Sequence, residues 1–257
     1  TVASDPINES FISSEAGVNF ESEKFAVKVS AYNTDWKDRN LTKAVTTGQG
    51  DSGDTDVIFL KGIGQKHQGL EIEGSMKLND MIRLDGAVSF GKWKFDGDAD
   101  GLYTEYDEEA PIQTSYTYTL DGLFVGDQPQ TAYVLGTTLT PMAGLRIQGI
   151  FKMYDKNYAD WSPDSRELSG DADRSQVWQA PAYNRLDLHA AYKLPKIAGY
   201  NMTLTGHLFN ALDAVYVQDA VDNSQYNGFG DKLHLAHNAE VFLGTPRYFN
   251  LGLSVNF

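Results

Sequence analysis

Phe249-Asn250-Leu251-Gly252-Leu253-Ser254-Val255-Asn256-Phe257 closes the chain with a strict alternation of apolar and polar or small residues. Successive side chains of a strand point to opposite faces, so this segment has one greasy face and one wet one. The same period recurs upstream. Ile12, Ala16, Val18 and Phe20 oppose Glu15 and Asn19, and Phe25, Val27, Val29 and Ala31 oppose Lys28 and Ser30. Leu70, Ile72, Gly74, Met76 and Leu78 oppose Glu71, Glu73 and Lys77, while Ile82, Leu84, Gly86, Val88 and Phe90 oppose Arg83 and Asp85. Tyr133, Leu135, Thr137 and Leu139 face small residues, and Leu145, Ile147, Gly149, Phe151 and Met153 oppose Arg146, Gln148 and Lys152. Leu186, Leu188, Ala190, Tyr192 and Leu194 oppose Asp187, His189 and Lys193, and Met202, Leu204, Gly206 and Leu208 oppose Thr203, Thr205 and His207. Nine strands result. No Asp, Glu, Lys or Arg stands on any of the nine apolar rows, although 22% of the chain is charged. Lipid demands this, because a Lys or Arg on the outer face of a membrane barrel costs roughly 2–4 kcal/mol at the midplane. A soluble core would exclude charge too.

The connections discriminate between those two environments. Short ones (Glu21 to Lys24, Asn79-Asp80, Pro141 to Gly144, Pro195 to Gly199) alternate with long ones (Thr46 to Asp56, Asp96 to Leu120, Ala159 to Val177, Asp219 to Gly244). Outer-membrane barrels sort their connections this way, with short periplasmic turns and long extracellular loops. The apolar rows run about nine residues, matching the roughly 9–11 needed to cross a bilayer at a tilt. No apolar run is long enough for a membrane helix, so any spanning structure is a barrel. These patterns predict an all-β fold, a transmembrane antiparallel β-barrel, with the long loops outside and Phe257 at the periplasmic rim. Bacterial single-chain barrels use even strand numbers, so nine strands predict further strands before Thr1.

Composition narrows the function. The 257 residues include no cysteine, which excludes disulfides and thiolate metal sites, and the formal charge of −14 argues against a phosphate-backbone partner. Thr1 to Ser10 is polar, without the basic head and apolar run of a signal peptide.

Several segments resemble TonB-dependent outer-membrane receptors. Gly244-Thr245-Pro246-Arg247-Tyr248 leading into the terminal strand resembles that family's last strand, including the final aromatic. Phe209-Asn210-Ala211-Leu212-Asp213 followed by Val215-Tyr216 is similar to its Asn-Leu-Phe-Asp…Tyr segment, with Ala211 and Leu212 departing from the commonest residues. His67-Gln68-Gly69-Leu70-Glu71-Ile72-Glu73 and Ala31-Tyr32-Asn33-Thr34-Asp35-Trp36-Lys37-Asp38 resemble an inward strand start and the outward strand before it. Val125 to Gln130 and Pro181 to Asp187 resemble the branch with a carboxypeptidase-regulatory-like N-terminal domain. The resemblance implies that residues 1–257 are the C-terminal part of the barrel, about the last nine strands of a 22-stranded wall, with the plug, the TonB-binding segment and the earlier strands lying outside it. It further implies energised uptake of a scarce solute, foremost an iron–siderophore-like ligand, driven by the TonB energy-transducing complex, with no enzymatic step. A passive or structural outer-membrane barrel and a soluble β-rich binding module stay open as alternatives.

Candidate sites lie in the long connections. Asp96, Asp98, Asp100 and Asp107 have the spacing of a calcium loop, with an aspartate where the closing glutamate usually stands and no flanking helices, so a structural calcium is a candidate and no cofactor is required. His234 and His237 near Glu240 are a weaker transition-metal candidate. His67, His189 and His207 read as ordinary polar wall residues. Gly50-Asp51-Ser52-Gly53 resembles a serine-protease nucleophile loop but has no companion histidine motif and reads as loop composition, and the triplets at Asn40 and Asn201 fall on strands. Tyr32, Trp36, Trp93, Tyr154, Tyr158, Trp161, Trp178 and Tyr216 gather at the loop ends of strands and read as an interfacial girdle. Trp161, Arg166 and Trp178 share one long loop and are the candidate ligand contacts.

Overall fold

The computed structural model describes residues 8–47, 54–106, 111–166, 173–196, 199–223 and 233–256. Fifteen strands occur among them: β1 (Ser10–Glu21), β2 (Phe25–Thr47), β3 (Asp54–Lys77), β4 (Ile82–Phe95), β5 (Ala99–Tyr106), β6 (Pro111–Tyr118), β7 (Thr131–Met142), β8 (Leu145–Asp155), β9 (Asn157–Tyr158), β10 (Gln179–Ala180), β11 (Tyr183–Lys193), β12 (Asn201–Phe209), β13 (Val217–Val221), β14 (Glu240–Leu243) and β15 (Tyr248–Asn256). Two three-residue 3-10 turns, Pro163–Ser165 and Ala236–Asn238, are the helical segments among the described residues. None is long enough to cross a membrane.

Nine of these strands form one antiparallel wall in the order β1-β2-β3-β4-β7-β8-β11-β12-β15. They coincide with the nine alternating segments of the sequence. Register fixes which residues share a face. One row runs Val18, Val29, Ile72, Val88, Tyr133 and Met153 from strand to strand, and another runs Ile82, Leu139, Ile147, Ala190, Gly206 and Leu251. These side chains stay open: Val18 is 73% exposed, Leu135 55% and Leu251 73%. A soluble sheet would cover such a face with a second layer to gain roughly 25 cal/mol per Å2 of apolar surface. No second layer covers it among the described residues. The opposite face is polar and curved, since Lys28, Glu73, Arg83, Asp85, Gly136 and Gln148, from five strands, line a single cavity of about 430 Å3. The wall is therefore an arc, open at β1 and β15, which pair on one side only.

The buried core is not in the wall. Ile58, Leu60, Ile63, Phe95, Ala99, Tyr118, Leu120, Leu123, Trp161 and Val177 form one apolar cluster at the loop end. Two departures from the sequence reading build it. First, the Thr46 to Asp56 connection is shorter than expected: β2 and β3 stay paired to Thr47 and Asp54. Second, the Asp96 to Leu120 stretch folds into the β5–β6 hairpin, and β5 pairs with the outer part of β3 where β4 has ended. The sequence reading places Asn40 on a strand, but the apolar row of β2 stops at Ala31, because the register slips between Trp36 and Leu41, with Asp38 at φ 57°, so the period-two pattern changes phase there. The remaining connections keep their expected alternation of short and long.

Candidate functional site

The polar face and the cap above it divide the predicted site residues between them. Trp161 is 2% exposed and packs edge-on against Phe95 and tilted against Tyr118, at ring-centroid distances of 6.5 and 5.6 Å. Lys43 approaches the same ring to 5.0 Å and makes an ion pair with Asp160. Arg166 is fully buried. Its Nη1 donates to the Ser175 carbonyl at 2.7 Å, and its Nη2 lies 3.5 Å from Asp222 and 3.2 Å from His234 Nδ1. The Arg166 carbonyl accepts the Thr119 amide at 2.8 Å. Both residues thus hold the cap together and do not face an open mouth. Trp178 is half-buried, its carbonyl accepting from the Ala159 amide at 2.8 Å, so the three candidate ligand contacts are not brought to one surface.

His234, which follows a connection outside the described residues, clasps two loops. Its Nε2 lies 2.5 Å from Asp173 Oδ2 and its Nδ1 contacts Asp222. Burial pulls the imidazole pKa down, but the carboxylates of Asp222 and Asp173 outweigh it, and the net direction is up. Asp173 is held down at about 2, since its bonds to His234 and to the Ser175 amide outweigh burial. His234 thus sits between two carboxylates, which spends it on protein contacts.

The acidic loop is likewise spoken for. Arg174 grips both oxygens of Asp98 at 2.7 and 2.8 Å, and Asp98 Oδ1 also accepts the Leu120 and Asp121 amides at 3.0 Å. The guanidinium lowers the Asp98 pKa. Asp100 accepts from the Thr117 hydroxyl at 3.0 Å, and Asp96 is anchored by its amide to the Gly64 carbonyl. Asp107 lies outside the described residues, as do Gly50 to Gly53 and Phe257. Among the described residues, no three His, Asp or Glu side chains are grouped to hold a metal ion.

The aromatic belt changes sides. Tyr32 shares its parity on β2 with Lys28 and Ser30, Trp93 on β4 shares that of Arg83 and Asp85, and Tyr154 on β8 that of Arg146 and Lys152. All three therefore project from the polar, inner face, where the sequence reading had placed a lipid-facing girdle. Trp93 Nε1 donates to the Tyr32 hydroxyl at 2.8 Å, and His67 stacks on Trp93 at 5.5 Å. Gly69 makes room for this arrangement, because a Cβ there would stand 2.3 Å from the Tyr32 hydroxyl. On the other side of the arc, Tyr183 stacks on Tyr216 at 4.4 Å, and Arg185 donates to the Tyr216 hydroxyl at 3.0 Å. The period-two count from each strand's polar row carried this signal in the sequence.

Two sequence segments explain how the last strand is set. Asn210 is fully buried at φ 47°; its Nδ2 donates to the carbonyls of Ala214 and Thr245 at 2.9 and 3.2 Å, and its Oδ1 accepts the Ala214 amide. Gly244 lies under the Tyr216 ring, where any Cβ would clash at 1.9 Å.

An open arc of antiparallel strands with a charge-free outer face, a polar inner face and loops gathered at one end is a segment of a transmembrane-barrel wall. A family model described as TonB dependent receptor-like, beta-barrel matches residues 9–211, and the chain belongs to that family. Among solved structures, one titled "Copper transporter OprC" shares the fold with a TM-score of 0.60 at 13% identity, covering 97% of this chain and 31% of that one. The chain thus spans about a third of that structure's length. No curated protein sequence matches the chain.

Proposed function

We propose that this chain is the C-terminal wall of an outer-membrane importer that takes up a scarce metal-bearing solute with energy from the TonB complex. The observation that carries the reading is the face division of the nine-strand arc: an exposed, uncharged outer face against a polar inner depression. Such a surface is stable only against acyl chains, and its free edges at β1 and β15 require further strands to close them. Two inner aromatic pairs, Tyr32 with Trp93 and Tyr154 with Tyr183, stand toward the loop end of the wall and offer stacking area to a bulky ligand entering from the loop side. Iron–siderophore chelates fit such aromatic surfaces; copper is a second cargo, suggested by the name of the copper transporter whose fold this chain shares. The long loops then face outward, and the short turns face the periplasm. Nothing in this scheme requires a covalent step.

The test uses the full-length receptor in its own cells. Fractionation should place it in the outer membrane, and accumulation of radiolabelled iron–siderophore or copper should depend both on the receptor and on an intact TonB complex. Uptake that persists without TonB would favour the passive pore. Recovery in the soluble fraction would end the barrel reading.

A further inference from the structure

We propose that His189 and His207 form a two-imidazole site on the inner wall for a late first-row divalent cation, Cu(II) foremost; the site rests on the importer reading in that the polar face must line a lumen. The two residues stand 18 positions apart in sequence but are direct partners across β11 and β12. Their Nδ1 atoms stand 2.9 Å apart. That contact requires one ring to donate and the other to offer a lone pair, so at least one imidazole is neutral. Two imidazole nitrogens bound to a cation at about 2.0–2.1 Å and at roughly a right angle lie about 2.9 Å apart as well. A cation can therefore take the place of the proton between the rings after small ring rotations, both rings then carrying a hydrogen on Nε2. The displaced Nδ1 proton passes through water to the donor ring's Nε2 where that nitrogen is bare, and is released to water where it already carries one.

The surroundings select the kind of cation. Charged groups near the pair are Asp187, Lys152 and Arg146, one acid against two bases, and Lys152 holds Asp187 at 2.9 Å. The local field thus offers no attraction for a hard cation such as calcium, and affinity has to come from the nitrogen lone pairs. Imidazole favours copper, nickel and zinc, with copper highest in the general order of affinities. The flanking register positions carry Gln148 and Asn250, neutral amides that add no competing charge. Phe209 covers the loop side of both rings, at 5.4 Å from His189 and 5.9 Å from His207, and is itself stacked on Tyr248 at 4.7 Å. Both imidazoles remain part-exposed to the inner face. With two protein ligands, Asp187 engaged by Lys152, and no third His, Asp or Glu grouped with the pair to hold a metal among the described residues, the remaining positions belong to exchangeable ligands, as suits an ion that must also leave.

The probe is Cu(II) alone, titrated into the full-length receptor purified in detergent and read by electron paramagnetic resonance. The wild type should show a copper signal split by two strongly coupled nitrogens, and that splitting should respond when histidine is labelled with the heavier nitrogen isotope. His189→Gln or His207→Gln should weaken this binding at least about tenfold, the loss of one of two imidazole ligands. His67→Gln, remote on β3, should leave it unchanged. Glutamine keeps a polar partner across the strands, and the isotope pattern of the wild type needs no variant at all. Identical titrations of wild type and the double variant, or a signal lacking the paired nitrogens, overturn the site. Outer-membrane fractionation of the same preparation separates the failures: a protein that embeds without this copper signal refutes the site alone, whereas one that never embeds refutes the importer reading.

Discussion

Asp127 shows how much a single carboxyl can matter in the cap. It sits at φ 69° with its amide donating to the Tyr158 carbonyl, and burial together with the carboxylates of Asp160 and Asp219 pushes its pKa up to about 7. The folded state therefore holds this proton more tightly than the unfolded chain, whose ordinary aspartate value is 3.8. Stability from the bound proton is complete at acid pH and drains away as pH rises from the unfolded value through about 7, beyond which the penalty is constant. Asp127→Asn keeps the shape, tolerates the left-handed backbone and cannot ionise. Protection of the Asp160 amide, which donates to the Ala220 carbonyl, should be higher in the variant at pH 8 and similar near pH 4. Equal protection at pH 8 would show that the carboxylate cluster places no strain on the cap. At the same scale, Arg166 illustrates what a sequence hides. A charged residue in a long loop reads as a ligand contact, but its partners stand at Asp222 and His234, brought close only by the fold.

At the scale of the strand, the period-two rows were legible because lipid imposes them position by position. Leu135 and Ala87 separate the two faces sharply. Leu135 lies between Gly86 and Phe151 on the outer row, whereas Ala87 lies beside Glu73 on the inner one. Arginine at position 135 would meet acyl chains and cost roughly 2–4 kcal/mol at mid-depth. At position 87 the same side chain gains an acidic neighbour and water. Leu135→Arg should therefore lower the full-length protein's yield in the outer membrane and its unfolding midpoint in urea, while Ala87→Arg leaves both near the wild type. Equal tolerance of the two substitutions would contradict the assignment of faces. The outer parts of β2 and β3 were not legible in this way. Above the bilayer nothing forces one face to be apolar, and the register slip beyond Trp36 breaks the count. The pairing of His189 with His207 was hidden for a related reason: parity gave the face, but only register gives the partner.

Taken whole, the molecule has two differently stabilised parts, a lipid-solvated arc and a cap with its own apolar core, and Trp161 decides whether they act as one. Its ring is 2% exposed and touches Phe95 and Tyr118, so Trp161→Ala removes the largest fully buried side chain and should cost about 3–5 kcal/mol. The loss falls on the cap, because the wall draws its stability from strand pairing and lipid. The full-length variant should still embed and keep amide protection across β7, β8 and β11, while protection collapses at Phe95, whose amide donates to the Leu123 carbonyl, and at Thr119. If ligand enters beneath an ordered cap, affinity falls together with this protection, and a second substitution in the same apolar cluster, such as Leu120→Ala, lowers it similarly. If Trp161 instead touches ligand directly, Trp161→Ala weakens binding far more than Leu120→Ala at equal loss of protection. Measuring affinity and exchange on both variants distinguishes a core residue that organises the mouth from one that binds the cargo itself.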